Sequence, residues 1–203
     1  MVFHPNSPNV NMNDFKIYNW KQFYGECVEP LLPNAPMPRG KEVDIRMFVV
    51  SDHAGDKLTR RPRTGFLIYV NTALIQWLSK KQSTVETLVF GAEFVAMKHG
   101  VEVLRGLRYK LWMMGVSISG PTFTYDDNMS VIHNTQRPES ALKKKSNAIC
   151  YHAVRESVAM GESLTAHISS DRNVTDLLTK LLYGQKRRNI VGDILFDIYD
   201  YDR

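Results

Sequence analysis

Three strand-like runs separated by short turns most constrain how this chain can fold. In the first run, residues 44–51, alternating residues give way to a continuous apolar stretch, which is typical of a strand with a buried end. A glycine-bearing turn leads to the second run, 65–70, and a two-residue turn leads to the third, 73–78. Because connections this short favour hairpins, the pattern predicts three antiparallel strands.

The rest of the chain alternates helical and strand patterns. A long amphipathic helix is predicted over about residues 83–109, and strands are predicted at 121–125 and 163–168. Further helical patterns cover 146–160 and 171–182. This order predicts an α/β fold, a five-stranded mixed sheet with the first strand near its centre and helices on both faces. One face of the long helix is apolar through Val85, Leu88, Val89, Ala92, Val95, Ala96, Val103 and Leu107.

Composition excludes several classes of protein. The 203 residues are 43% hydrophobic, enough to bury a core without disulfides or metals. The two cysteines, Cys27 and Cys150, lack any metal-binding spacing, which excludes a disulfide scaffold or zinc ribbon and favours a reducing compartment. The sequence shows neither a membrane-spanning apolar run nor a signal peptide. We therefore expect a cytoplasmic, intracellular protein that does not contact a membrane.

The composition of the chain changes near residue 40, after which prolines are less frequent. Proline interrupts helices and strands, so residues 1–40 are interpreted as a linker or the remnant of a connection. Residues 41–185 are then the folded domain, and 186–203 are a C-terminal tail. Most of the nine prolines belong to the first segment: Pro5, Pro8, Pro30, Pro33, Pro36 and Pro38.

Basic residues cluster just before the second predicted strand and just after the third. Such clusters are usually a solvated surface, and contact with nucleic-acid phosphates is the alternative. Two further clusters lie at 143–145 and 186–188. Trp77 alternates with Ile75 on the third strand, which favours packing in the core over stacking on a base. The cluster around these two strands consists of Lys57, Arg60, Arg61, Arg63, Lys80 and Lys81.

Three carboxylates stand at the ends or edges of predicted elements. Glu93 borders the apolar face of the long helix, Asp127 occupies the N-cap position after the fourth strand, and Asp176 borders the last helix. Each alone is compatible with a helix cap or a solvated helix edge. If the three converge at one rim of the sheet, they repel one another unless a cation lies between them. Mg²⁺ suits such a site, and two ions about 3.5–4 Å apart could clamp a phosphodiester.

Five short segments carry a resemblance to a known family. Together, and in this order, they resemble the ribonuclease H (RNase H) domain at the C-terminal end of copia-type retrotransposon polyproteins. The resemblance covers about residues 42–183, and what precedes Lys41 resembles the connection to an upstream reverse transcriptase. The segments are 59–65, 77–82, 92–96, 127–130 and 176–180.

The resemblance implies an RNase H-like fold that cleaves the RNA strand of an RNA–DNA hybrid with Mg²⁺, or alternatively Mn²⁺. Carried over residue by residue, it makes Glu93, Asp127 and Asp176 the catalytic metal ligands. It also implies the hybrid and an upstream reverse transcriptase as partners, with a virus-like particle or the nucleus as alternative locations. The implied nucleic-acid-binding residues are Lys57, Arg60, Arg61, Arg63, Lys80, Lys81 and Asn128.

The chain departs from the family at its first acid. The family pattern Asp-x-Asp-His/Trp-Ala-Gly-Asp begins here with Val50, and an isopropyl group cannot ligate Mg²⁺. Asp52 is a weak substitute, because it shares a strand face with residue 50 but lies about 6–7 Å further along. An ordinary turn-stabilising role is the favoured interpretation of Asp52. Two hypotheses follow: an impaired hybrid ribonuclease, or a catalytically dead nucleic-acid-binding remnant of a mobile element.

Overall fold

The computed structural model describes residues 2–3, 14–142 and 145–196. Lys143 and Lys144 of the basic cluster at 143–145, and the residues after 196, lie outside these residues. The strands are β1 (Val2–Phe3), β2 (Arg39–Val43), β3 (Ile45–Asp52), β4 (Arg63–Val70), β5 (Ala73–Lys81), β6 (Val116–Ile118), β7 (Thr122–Asp126), β8 (Ser163–His167) and β9 (Leu195–Phe196). The helices are α1 (Lys21–Tyr24), α2 (Val89–Met113), α3 (Met129–Gln136), α4 (Ala148–Ala159), α5 (Asp176–Thr179) and α6 (Gly184–Ile194).

A five-stranded mixed sheet in the order β5-β4-β3-β7-β8 organises the domain. Strands β3, β4 and β5 are antiparallel, whereas β7 runs parallel to β3 and β8 runs parallel to β7. The predicted five-stranded sheet and its antiparallel first three strands are confirmed. Strand β3 is central because its apolar run is buried on both faces, with Met47 and Val49 in one core and Phe48 in the other.

Helices cover both faces of the sheet, as predicted. On one face, Phe94 and Leu104 of α2 pack with Met47 and with Val154 of α4. On the other face, Phe48 packs with residues around α5 and α6, including Ile190. Burying an aliphatic or aromatic side chain contributes roughly 1.5–3 kcal/mol, so these two layers hold the elements that carry the carboxylates.

Gly65 allows α5 to lie close against the sheet. It stands in β4 directly opposite Val50, under α5. A Cβ atom at this position would come within 2.7 Å of Thr179 Cγ2 and 3.1 Å of Leu178 Cβ, so α5 would have to shift to admit it. The absence of a side chain at Gly65 therefore places α5, and with it Asp176, beside the end of β3.

Several element boundaries differ from those predicted. The last helix, predicted over 171–182, is a single turn, because the Asn173 side chain bonds the backbone N–H of Thr175 (3.2 Å) and the carbonyl of Val49 (3.3 Å) instead. Such local bonds compete with helix formation. Helix α6 then begins before the predicted tail and buries Ile190 and Ile194 within it. The domain limits 41 and 185 stay predictions.

Residues 14–38 pack along the domain although they contain little regular structure. Trp20 is buried, and the guanidinium of Arg155 lies 4.8 Å from the centre of its ring. Glu29 forms an ion pair with the buried Arg108 of α2. Strand β2 also pairs with β6 in a two-stranded sheet, which the sequence did not indicate. The segment interpreted as a linker is therefore in contact with the domain over residues 14–38.

Candidate active site

An open cleft of about 630 Å³ lies at one edge of the sheet. Strands β3 and β7 are parallel neighbours, so their C-terminal ends meet at this edge. The first turns of α2 and the end of α5 close its sides. The cleft is lined by Ser51, Asp52, His53, Val89, Glu93, Asp127, Asn128, Met129, Ser130 and Lys180.

Glu93 joins α2 to the end of β3. Its carboxylate is only 3% exposed and accepts a hydrogen bond from the backbone N–H of Ser51 at 2.6 Å. Burial raises the pKa of Glu93 well above its usual range, and the charges of Asp126 and Asp127 raise it further. Glu93 therefore holds its proton more tightly than an exposed glutamate does.

Two consecutive aspartates end β7 and have different surroundings. Asp126 is fully buried; its Oδ1 accepts the backbone N–H of Asn128 at 2.7 Å, and its Oδ2 has no hydrogen-bond partner among the described residues. Burial raises the pKa of Asp126 well above its usual range. Asp127 instead faces the cleft and accepts a hydrogen bond from Ser170 Oγ at 2.9 Å.

Asn128, rather than Asp127, caps helix α3. Its side-chain oxygen accepts the backbone N–H groups of Ser130 (3.0 Å) and Val131 (3.4 Å). The prediction that Asp127 is the N-cap is wrong, because β7 extends one residue further than expected and shifts the cap by one position. The Asp127 carboxylate is therefore not engaged at the helix end and points into the cleft.

Asp176 is fully buried and neutralised by two lysines. Lys180 Nζ lies 2.6 Å from its Oδ1, and Lys186 Nζ lies 2.9 Å from its Oδ2. The same Lys180 ammonium is 3.9 Å from Asp127 Oδ2. Burial opposes the charged form of Lys180, but its hydrogen bond to Asp176 and the surrounding carboxylates raise its pKa overall. An ammonium group thus lies between Asp127 and Asp176, two of the three acids that the sequence predicted would share a cation.

Val50 and Asp52 lie on the face of β3 that α5 covers. Val50 is fully buried opposite Gly65. The Asp52 carboxylate accepts the backbone N–H of Arg63 across the hairpin, the turn-stabilising contact favoured from the sequence. Burial raises the pKa of Asp52, and the contacts with Arg63 partly oppose that rise.

The predicted nucleic-acid-binding residues do not share one surface. Arg61, Arg63 and Lys81 line a second cleft of about 400 Å³ between the β4–β5 hairpin and α5. Lys80 points to the opposite face of the sheet, because it alternates with Lys81 along β5. Lys57 and Arg60 lie in the turn before β4, outside both clefts. Asn128 caps α3 and also lines the 630 Å³ cleft that contains Glu93 and Asp127, called the acidic cleft below.

The prediction that Trp77 packs in the core is wrong. Its side chain is 57% exposed on β5, which is the outer strand of the five-stranded sheet. The helices cover the middle of the sheet and leave this edge accessible. Alternation along β5 indicated which face Trp77 occupies, but not that this face would be open at the edge.

Sequence comparisons find that the chain is similar to part of several transposon polyproteins. It is 26% identical over 158 residues to the retrovirus-related Pol polyprotein from transposon RE1 of Arabidopsis thaliana, and 27% identical over 146 residues to that from transposon RE2. It is also 27% identical over 147 residues to the one from transposon TNT 1-94 of Nicotiana tabacum. The matches cover 78%, 72% and 72% of this chain. The chain is a relative of these Pol polyproteins.

Solved structures agree with the fold of such a domain. RNase H1 from the halophilic archaeon Halobacterium salinarum NRC-1 is 10% identical with a TM-score of 0.50, over 68% of this chain and 95% of that chain. LC11-RNase H1 in complex with RNA/DNA hybrid is 13% identical with a TM-score of 0.50, over 67% and 94%. The RNase H fold is thereby shown, and the resemblance to the RNase H domain of retrotransposon polyproteins is confirmed. No family model matches the chain.

This RNase H-like domain spans 10–11% of the length of those three Pol polyproteins. Within residues 14–142 and 145–196, every helix is too short or too polar to cross a bilayer.

Sequence reasoning missed three residues of the site: Asp126, Lys180 and Lys186. The i,i+4 spacing of Asp176 and Lys180 is a signal that could have indicated their ion pair. No sequence signal indicated Lys186, because its position depends on how α6 folds back.

We expect Asp176→Asn to lower the free energy of unfolding by about 2 kcal/mol, because it leaves two ammonium groups without their counter-charge. The value lies below the roughly 3–5 kcal/mol for breaking a fully buried pair, since both lysines are partly in contact with water. Chemical denaturation of the full chain measures it. Asp171→Asn is the matched control, because Asp171 is 90% exposed and 4.0 Å from the same Lys186. Equal losses in both variants would contradict the expectation.

Proposed function

We propose that the chain is the RNase H-like domain of a retrotransposon Pol polyprotein that binds RNA–DNA hybrid and cleaves its RNA strand with an impaired site. The observation that carries this proposal is the cleft at the ends of β3 and β7, where Glu93 and Asp127 come together from different elements. The sequence relatives and the RNase H fold support it. Hydrolysis, substrate and partners are proposals, because the chain matches only about a tenth of each relative.

The residues present do not fit a pair of Mg²⁺ ions. Among the described residues, no three His, Cys, Asp or Glu side chains are grouped closely enough to hold a metal ion. The position expected to supply the bridging acid is the apolar Val50, and Asp176 is bound to two ammonium groups. Mg²⁺, with Mn²⁺ as the alternative, is therefore the ion we propose for a site in which the acid at position 50 is restored.

The chain's own groups favour binding of a phosphate backbone even without metal. The pKa of Glu93, which lines the cleft, is raised by burial, which disfavours a negative charge on this side chain. Lys180 adds a positive charge at its edge, and Arg61 and Arg63 lie in the adjoining cleft. Phosphate contacts of this kind position a duplex without reading its sequence.

We expect hybrid affinity to fall steeply with salt, because binding releases counterions from the phosphates. The slope of log affinity against log salt should be roughly −0.9 for each phosphate contacted. Fluorescence anisotropy with a labelled hybrid at several salt concentrations measures it. Arg63→Gln should make the slope shallower by about 0.9. A slope near zero for the wild type would remove the electrostatic argument.

Lys110→Gln is the matched control for Arg63→Gln. Lys110 is exposed and lies near the C-terminal end of α2, about 25 Å along the helix from Glu93 at 1.5 Å per residue. It carries the same charge as Arg63 but lies far from both clefts. The slope should therefore match that of the wild type; an equal change in both variants would indicate net charge alone.

The kind of relatives found also supports proposals on partners and location. We propose the reverse transcriptase of the same polyprotein as the protein partner, with the hybrid as the nucleic-acid partner. The proposed location is inside the cell, in the cytoplasm, a virus-like particle or the nucleus.

A further inference from the structure

An exposed tryptophan stands beside a basic cleft on the outer strand of the sheet. Trp77 pairs with Leu67, which belongs to the core on the α5 face, so Trp77 lies on that same face. Ser79 and Lys81 follow on the same face at every second residue, and both line the 400 Å³ cleft. Trp77 and Ser79 are two residues apart on an extended strand, which is about 6–7 Å.

The cleft beside Trp77 offers cations that are not all neutralised within the protein. Lys81 forms an ion pair with Asp56. Arg61 and Arg63 also line the cleft, and neither forms an ion pair with a carboxylate of the described residues. Arg63 Nη1 donates to Ser79 Oγ at 3.3 Å, and Ser79 Oγ donates to the carbonyl of Leu178 at 2.6 Å. The wall of the cleft is thus held in place by one hydrogen bond between β4 and β5 and one between β5 and α5.

We propose that this surface, formed by Trp77, Ser79, Arg61 and Arg63, binds a single-stranded segment of nucleic acid. One unpaired base stacks on the Trp77 indole, and the neighbouring phosphate lies between the two arginines. An aromatic side chain beside a positively charged groove is the combination that binds single strands without sequence preference. A paired base within a duplex is already stacked on its neighbours, so the exposed indole favours an unpaired one.

The position of this surface relates it to the acidic cleft. Asp52 and Lys180 line both clefts, so the two are adjacent around the end of β3. A single-stranded extension of a duplex in the acidic cleft would therefore meet Trp77 next. The inference shares Arg61 and Arg63 with the proposed hybrid binding and goes beyond it, because it assigns a single-stranded ligand and gives Trp77 a role in binding it.

The test uses a short oligothymidylate and the intrinsic fluorescence of the full chain. Trp77 is one of three tryptophans; Trp20 is buried, and Trp112 lies on α2 beside Arg108. We expect the oligothymidylate to quench the fluorescence of the wild type and not that of Trp77→Phe. By anisotropy with a labelled oligothymidylate, Trp77→Ala should weaken binding about tenfold. Trp77→Phe should weaken it less, because phenylalanine still offers a ring for stacking.

Control variants separate stacking from charge and from folding. Ile75→Ala removes another exposed apolar side chain of β5 and should leave affinity unchanged. Arg61→Gln should make the salt dependence shallower by about 0.7, whereas Lys110→Gln should not. Blunt hybrid should bind Trp77→Ala as it binds the wild type. Thermal unfolding checks that each variant is folded.

Two results would overturn the proposal: equal affinity of the wild type and Trp77→Ala for the oligothymidylate, or quenching that persists in Trp77→Phe. If equal affinity were found together with lost binding of Trp77→Ala to a reverse transcriptase, the surface would be assigned to a protein partner. Loss of hybrid binding alone would count against the proposed function and leave this inference standing.

Discussion

Val50→Asp should raise the rate of hybrid cleavage with Mg²⁺ about a hundredfold or more above that of the wild type. A carboxylate at position 50 would lie near the end of β3, on the face covered by α5, the helix that carries Asp176. It would be next in the chain to Ser51, whose backbone N–H bonds Glu93. Such a carboxylate would add an oxygen ligand for Mg²⁺, which would supply activation of water if bound, and loss of alignment costs orders of magnitude in rate. Cleavage of a labelled hybrid by purified wild type and variant measures the effect.

Val50→Asp should also make the stability of the domain depend on Mg²⁺. Val50 is fully buried, so an unpaired carboxylate there should lower the free energy of unfolding by roughly 1–3 kcal/mol. Mg²⁺ that binds only the folded variant should restore part of that loss. The melting temperature of the variant should therefore rise with Mg²⁺, and that of the wild type should not.

Val50→Asn is the matched control for both measurements. It places a polar side chain of the same shape at the same buried position without a negative charge. It should destabilise the domain without restoring cleavage or a response to Mg²⁺. Mn²⁺ should give at most a small increase for the wild type, since it is also a hard, carboxylate-binding ion.

A different result would show that Asp52 acts in place of the acid missing at position 50. The wild type would then cleave robustly with Mg²⁺, Asp52→Asn would abolish cleavage, and Val50→Asp would leave it unchanged. The contact between Asp52 and the backbone of Arg63 argues against that outcome, because the carboxylate is already engaged across the hairpin. If neither the wild type nor Val50→Asp cleaves the hybrid while both still bind it, the result would support the other hypothesis, a catalytically dead nucleic-acid-binding remnant.

Local patterns made the sheet predictable. Strand β3 has an apolar run with short turns beyond it, and its neighbours β4 and β5 are hairpins whose pairing follows from those turns. The long helix was predictable too, but most of the apolar face assigned to it is not the buried one. Leu88 and Val89 are about half exposed, and the buried side chains of α2 include Phe94, Met97 and Leu104. In each of these elements the signal lies within a few consecutive residues, so it did not depend on tertiary contacts.

The parts that were wrong depend on contacts between distant residues. The segment 171–182 has helical periodicity, but the Asn173 side chain bonds the carbonyl of Val49 on β3, and the helix shrinks to one turn. Trp77 has the alternation of a buried residue, but it lies on the strand that happens to be outermost. Lys186 reaches Asp176 only because α6 folds back over the sheet. None of these outcomes can be read from neighbouring residues.

The buried acids of the site should make the domain less stable as pH rises. Burial raises the pKa of Glu93 and of Asp126 in the folded state, so the folded chain binds more protons than the unfolded chain above pH about 4. Under linkage, the free energy of unfolding then falls as pH increases from the unfolded pKa toward the folded one. The stabilising contribution of these two acids is present in acid and is lost toward neutral and higher pH.

Asp126→Asn and Glu93→Gln should therefore stabilise the domain, and the gain should grow as pH rises from about 5 to 8. For Asp126→Asn we expect roughly 1–3 kcal/mol at the upper end, because its Oδ2 is buried without a partner among the described residues. Denaturation at several pH values gives the difference between variant and wild type directly. Glu102→Gln is the matched control on α2, since Glu102 is half exposed and paired with Lys98. A difference that stays constant or shrinks with pH would mean that the two acids are already ionised and compensated in the folded chain. A stability difference that grows with pH would show that the site retains acids that oppose folding. This is expected where carboxylates are held together without a cation for each of them.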